Sequence, residues 1–228
     1  MKKIVIIGAG GYGRDVIWTI ERINSYQIKH GKELEWEIVG ITEKNNNISE
    51  LIGYPVIGDD QILLDYKQEI WCVCALGNPR MRNIVTSKLR YNTNLRFATI
   101  IDPTASIYDE NSVGEGSVIT AGAVISVDCN IGRHVFVGFN SSIGHNSILS
   151  DYVSIYPGAR LSGNVYVGSG TEIGTGANIL PKIIIGNQSI VGLGAVVIEN
   201  VIDCQTVSGN PAQAIFKHKK WEDFKNEY

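Results

Sequence analysis

His145 and a glycine-rich turn near the N-terminus are the two features whose residue types and spacing point to chemistry. His145 is the third residue of the hexad Ile143-Gly144-His145-Asn146-Ser147-Ile148. An imidazole takes up and returns protons near neutrality, so it suits a general base. Taken alone, a surface histidine is more often inert. Asn146 next to it carries an amide oxygen that can accept a hydrogen bond and fix a ring tautomer, but it brings no charge. At the other end, Gly8-Ala9-Gly10-Gly11-Tyr12-Gly13 has the Gly-x-Gly-x-x-Gly spacing of a turn that presents backbone amides to a phosphate. The same glycines would also serve a tight turn with no ligand.

The elements that must position these residues fall into two halves. Ile4 to Ile7 reads as a buried strand, and Tyr12 to Ile23 as a helix with Val16, Ile17, Ile20 and Ile23 on one face. Trp36 to Ile41 and Ile70 to Leu76 read as further strands, and Leu95 to Ile101 as a last, shorter one. Asp59 to Tyr66 reads as a short helix, and Pro79 to Tyr91 as a helix with proline at its first position. Strands alternating with helices predict a small Rossmann-like domain with a parallel sheet over residues 1–101. The glycine turn follows a strand and opens a helix there. A dinucleotide fits poorly, because the segment is one mononucleotide half of the doubly wound fold. Ile41-Thr42-Glu43 also lies beyond the roughly twenty-residue spacing expected for a ribose-gripping acid. One half-site fits one nucleotide, such as the carrier of an activated sugar.

At Asp102-Pro103 the pattern changes. From Ile107 to Val197 every sixth residue is Ile, Leu or Val. A helix repeats at 3.6 and a strand at 2, so neither alone holds that register. The next residue is often glycine, as at Gly132, Gly138, Gly144, Gly168 and Gly174, and is expected to permit a corner. The fourth residue after the aliphatic is usually small or β-branched, as at Ser117, Ala123, Ser141, Ala159, Thr171 and Ala195, and is expected to pack beside it. The prediction is a β-solenoid of about five triangular coils over 102–215, with residues eighteen apart stacked and a tail over 216–228.

Composition narrows the function. The chain has 228 residues, 44% hydrophobic and 19% charged, which is ordinary for a globular protein. A net charge of −3 and a pI near 5.8 give no electrostatic footprint for nucleic acid. The apolar start at Met1-Lys2-Lys3-Ile4 is interrupted by Gly8 to Arg14, too soon for a membrane span or a signal segment. Cys72, Cys74, Cys129 and Cys204 show no zinc-ligand spacing, so no metal is expected. Cys72 and Cys74, two apart in an apolar run, read as buried thiols, a usage that suits the cytoplasm.

With both halves in place, the chain resembles the left-handed β-helix acyltransferases, in the branch that carries a Rossmann-like domain in front. That branch includes the nucleotide-amino-sugar N-acetyltransferases (of bacillosamine and perosamine) and the sialic acid O-acetyltransferases. The motifs that carry the resemblance are the Gly8–Gly13 turn, Gly53-Tyr54-Pro55-Val56-Ile57-Gly58, Ala75-Leu76-Gly77-Asn78, the hexads, and Ser208-Gly209-Asn210-Pro211-Ala212. The resemblance implies a left-handed coil, acetyl-CoA as co-substrate, acetylation of an amino group on a nucleotide-linked sugar, and a homotrimer with coenzyme sites between subunits.

It also implies roles for single residues. His145 falls on the family's catalytic histidine, with Asn146 where the family commonly has Glu or Asp. Gly10, Gly11, Tyr12, Thr42, Glu43, Gly77 and Asn78 fall on the sugar-nucleotide contacts. Thr42 replaces one of two acids that relatives often carry. Gly163, Thr175, Leu193 and Gly194 fall along the coenzyme groove, and Ser154 stands where some relatives have a coenzyme-contacting histidine. His134 is expected at the surface or an interface.

Two alternatives stay open, and a third is set aside. O-acetylation of a sialic acid or another sugar is the nearest. A catalytically silent sugar-nucleotide-binding subunit is kept alive by the missing acid at position 146. A zinc carbonic anhydrase on a similar solenoid needs three histidines, and only His134 and His145 lie in the coils.

Overall fold

The computed structural model describes residues 1–45 and 47–223. The chain divides into two compact units. The first comprises Met1–Pro103 with Glu115–Val118, and the second Thr104–Gly114 with the chain from Ile119 onward.

The first unit is built on β1 (Lys2–Ile7), α1 (Gly11–Lys29), β2 (Trp36–Thr42), β3 (Glu50–Leu51), β4 (Tyr54–Gly58), α2 (Gln61–Leu64), β5 (Ile70–Cys74), α3 (Pro79–Leu89) and β6 (Leu95–Phe97). The sheet order is β3-β4-β2-β1-β5-β6. β1 pairs in parallel with β2 on one side and β5 on the other, so the strand order reverses at β1. That switch point leaves a crevice outside the carboxyl ends of β1 and β5, where ligands of open α/β sheets bind. The β1 residues Ile4 to Ile7 are wholly buried, as a strand covered on both faces requires. Val16, Ile17, Ile20 and Ile23 form the buried stripe of α1, which runs six residues past the expected Ile23. The short antiparallel pair β3–β4 was not legible as strands, because Ile52-Gly53 is a turn inside an otherwise mixed stretch. Cys72 and Cys74 are buried free thiols, and burial pushes the Cys74 thiol up to about 12.

The second unit is a parallel β-solenoid of two-residue strands, each ending on the repeating aliphatic. Strands eighteen residues apart pair in register, as in the series Val124, Ser142, Arg160, Asn178 and Val196. Three such faces enclose a core whose layers include Val137, Ile155, Ile173 and Val191 on one side. The small residues Ala123, Ser141, Ala159, Thr171 and Ala195 are buried beside them.

The corners correct one expectation. The glycine after each aliphatic is not the residue that turns the chain. The left-handed backbone falls two residues later and recurs every six residues, including Gly116, Gly122, Asp128, His134, Asn140, Asn146, Tyr152, Gly158 and Asn164. Glycine follows the aliphatic because a side chain there has no room. A Cβ on Gly138 would come within 2.7 Å of Pro157 N, and one on Gly168 within 2.6 Å of Asn187 N, both in the backbone of the next coil. The coil spacing excludes it whatever the backbone angles.

The chain then forms an antiparallel pair, Gln205–Ser208 with Gln213–Lys217, so the expected tail begins inside a strand. The last residues of that tail, 224–228, lie outside the described residues.

Candidate functional site

In the first unit, the loops after β1, β2 and β5 are tied into one cluster. Gly8 N–H donates to Thr42 O, and Ala75 N–H to Ile7 O, each at 2.8 Å. The glycines divide by what the fold needs. Gly8 has φ +106°, and a Cβ there would come within 2.8 Å of Leu76 Cδ2. A Cβ on Gly13 would collide with the Gly8 carbonyl oxygen, so helix and turn require both glycines. Gly10 and Gly11 are different: a Cβ on either meets nothing within 4 Å. They stand exposed at the start of the nineteen-residue α1, where no side chain caps the helix. That leaves open space at the positive end of a helix dipole, which suits an anion.

The other sequence-derived contacts separate on inspection. Glu43 accepts from Ala9 N–H at 2.9 Å and Asn45 N–H at 3.1 Å, so its carboxylate braces the turn. Thr42 is wholly buried, and its hydroxyl donates to Asp60 Oδ1 at 3.1 Å. It therefore faces the interior rather than a ligand. The Asn78 side chain caps α3 by accepting from Met81 N–H at 3.0 Å, while Gly77 is exposed with open space around it. Tyr12 is half-buried.

Two residues here were not singled out from the sequence. Asp60 has its carboxyl raised by burial, against the pull of the Thr42 hydroxyl and Lys44. Arg82 is 1% exposed and donates from Nη1 to Leu76 O at 2.8 Å and Gly77 O at 3.2 Å, fixing the loop after β5. A signal for it existed: Arg82 shares the buried face of α3 with Val85 and Leu89, a charge on an apolar stripe.

In the solenoid, His145 and Asn146 are exposed at a corner. His145 Nδ1 lies 2.8 Å from Asn146 Oδ1. An amide oxygen only accepts, so this contact assigns the proton of a neutral ring to Nδ1 and leaves the Nε2 lone pair available. The corner is clamped from both neighbouring coils: Asn146 N–H donates to Val127 O at 3.0 Å and Asn164 N–H to His145 O at 2.7 Å. Asn146 has φ +59°, and asparagine is the type that tolerates the left-handed region best after glycine. One residue thus turns the chain and orients the ring.

The coenzyme candidates occupy two corners. Gly163 stacks on His145, eighteen residues on, and a Cβ there would collide with the imidazole. Thr175, Leu193 and Gly194 stand exposed at a different corner, joined by Gly194 N–H to Thr175 O at 2.8 Å. Ser154 belongs with neither. It is wholly buried between its strand partners Phe136 and Glu172, so within this chain it offers no surface to a coenzyme. The expectation for His134 is also corrected: it is 1% exposed, with its ring stacked on Tyr152 at 5.2 Å.

Among the described residues, no group of three or more His, Cys, Asp or Glu could hold a metal ion, and no helix is long and apolar enough to cross a membrane.

Known proteins resemble the chain in sequence and in fold. The PglD N-terminal domain family matches residues 3–89. The GDP-perosamine N-acetyltransferase of Escherichia coli O157:H7 is 31% identical over 177 residues, covering 75% of this chain and 77% of that protein. The acetyltransferase domain of PglB from Neisseria gonorrhoeae, solved in complex with acetyl coenzyme A, is 30% identical with a TM-score of 0.82 over 94% of this chain and 99% of that one. PerB from Caulobacter crescentus, solved in complex with CoA and GDP-perosamine, is 27% identical with a TM-score of 0.83 over 95% and 98%. A glycine turn with open space at a helix start, an exposed histidine oriented by its neighbour, and these likenesses converge: the chain belongs to the nucleotide-amino-sugar N-acetyltransferase family.

Proposed function

We propose that the chain transfers the acetyl group of acetyl-CoA to the amino group of a nucleotide-linked amino-deoxy sugar, with His145 as general base. The observation that carries this reading is the His145 Nδ1–Asn146 Oδ1 contact, which leaves Nε2 as the basic nitrogen on an exposed corner. The sugar amine attacks the thioester carbonyl and passes a proton to Nε2 as the new C–N bond forms. The C–S bond then breaks, and the departing thiolate takes a proton to become the free thiol. The relatives' complexes with acetyl coenzyme A and with CoA and GDP-perosamine support both substrates.

On this reading, Gly10, Gly11 and Gly77 are the surfaces that meet the sugar nucleotide, and Glu43, Asn78 and Arg82 hold their loops in place. Thr175, Leu193 and Gly194 line the coenzyme groove. The reaction is placed in the cytoplasm, where acetyl-CoA is available. The test is thiol release from acetyl-CoA with UDP-, GDP- and dTDP-linked 4-amino sugars. Release with at least one amine acceptor is expected. Release only with hydroxyl acceptors would replace this reading by O-acetylation, and no release with any acceptor would leave a silent binding subunit.

Gly11→Val tests the turn. A branched side chain would fill the open space at the start of α1, and the KM for sugar nucleotide is expected to rise about tenfold or more, the loss of some 1.4 kcal/mol of binding. The KM for acetyl-CoA should stay near normal. A parallel rise in both would report misfolding, and no rise in either would make the turn structural only.

We further propose that the chain works as a homotrimer. Two features support it. His145 and the Thr175–Leu193 row stand on different corners of the coil, and Ile148, Tyr166 and Ile184 leave an exposed apolar ladder along one face. Light scattering at micromolar concentration should give three times the chain mass; an active monomer would exclude the trimer.

A further inference from the structure

We infer that Gly163 is a positioning residue whose missing side chain makes the seat for the His145 imidazole. This rests on the general-base reading of His145 and adds a second residue to it. Gly163 sits two residues after the core aliphatic Leu161 and one before the left-handed corner Asn164. At that place in the repeat the coil needs no glycine. The same column carries Val127, His145, Pro181 and Glu199, and the neighbouring corners carry residues as large as Arg133, Phe139 and Leu193. Gly163 has no left-handed φ that would demand glycine either.

What a Cβ there would meet is the ring itself: Nε2 at less than contact distance, Cε1 at 2.6 Å and Cδ2 at 2.9 Å. Gly144, one residue before His145, contrasts with it, because its Cβ would strike the Ser162–Gly163 backbone. Gly144 is therefore a glycine of the fold and Gly163 a glycine of the ring. The imidazole takes up the space that a Cβ on Gly163 would need, with Nε2 nearest that point. The opposite ring nitrogen is held by Asn146. The two contacts fix both the tautomer and the tilt of the base.

A methyl group at 163 would tip Nε2 away from its line of attack. Gly163→Ala should lower kcat by about 10²-fold, the scale of a 1 Å misplacement, with the KM for both substrates within about twofold. The decisive measurement is a double-mutant cycle with His145→Ala, read in kcat and in melting temperature. With the imidazole gone, the methyl has nothing to displace. Gly163→Ala should then cost no further turnover and no further melting temperature.

Equal losses from Gly163→Ala in both backgrounds, or no loss in the presence of His145, would overturn the seat. A raised KM for acetyl-CoA in both backgrounds would overturn it too and make Gly163 a coenzyme contact instead. The base reading falls separately, if His145→Ala alone keeps full turnover. In that event the melting cycle still decides whether the ring is seated on Gly163.

Discussion

Replacing His145 with alanine is expected to lower turnover by about 10²- to 10⁴-fold while both substrates still bind, the usual range for a general base. The expectation rests on geometry. The ring is exposed, its Nδ1 is committed to Asn146, and its backbone carbonyl is held by Asn164 N–H, so truncation leaves the corner intact. Steady-state kinetics should show kcat and kcat/KM falling together, the signature of an interaction made only in the transition state. Full turnover in the variant would place the base elsewhere. Asn146→Ala should cost less, since it removes the orienting oxygen but not the base. Asn146→Glu carries a complication from the fold: it would bring charge to Nδ1, but it places glutamate at φ +59°, which costs on the order of 1 kcal/mol. Its effect on kcat must be read beside its effect on stability.

Truncating Ile155 to alanine is expected to cost about 2–5 kcal/mol of stability, the range for deleting a large aliphatic from a packed core. Ile155 is wholly buried and stacks between Val137 and Ile173 in successive coils. Neighbouring coils are held by short backbone ladders, so the rigid stack has little means of collapsing into the void. In a solenoid each coil contacts only its neighbours, so hydrogen exchange should quicken first in the coils on either side of the cavity. Leu193→Ala, at a side chain 80% exposed, should move stability by no more than about 0.5 kcal/mol. Similar losses from the two variants would mean that inward and outward positions of the repeat have been misassigned.

The repeat was legible because sixfold spacing of Ile, Leu and Val has few physical explanations, and the buried layers follow it residue by residue. The cause of the glycines was not legible. A glycine needed for a positive φ and one needed because a neighbouring backbone lies too close read alike in sequence. Only coordinates separate Asn146 and Gly158, which turn the chain, from Gly138 and Gly168, which make room. The N-terminal contacts had a similar limit. The spacing marks where loops converge, but it does not say which side chains face outward. Thr42 turned inward to Asp60, and Asn78 was taken up by its own helix. Ser154 was legible as a position in the repeat, but its burial depends on the large strand neighbours Phe136 and Glu172, eighteen residues away on either side.

The eighteen-residue register also limits which changes of length the solenoid can absorb. A deletion or insertion of one residue inside the coils would move every later aliphatic off the inward position and every later corner residue off its left-handed backbone. A change of six would restore the pattern of side chains but rotate the rest of the chain by one face, parting Gly163 from His145 if it fell between them. Only a change of eighteen keeps all three faces aligned. Length variation among functional descendants of this chain should therefore come in whole coils added away from residues 145–163, or in loops that leave the coil at a corner and return to the same one.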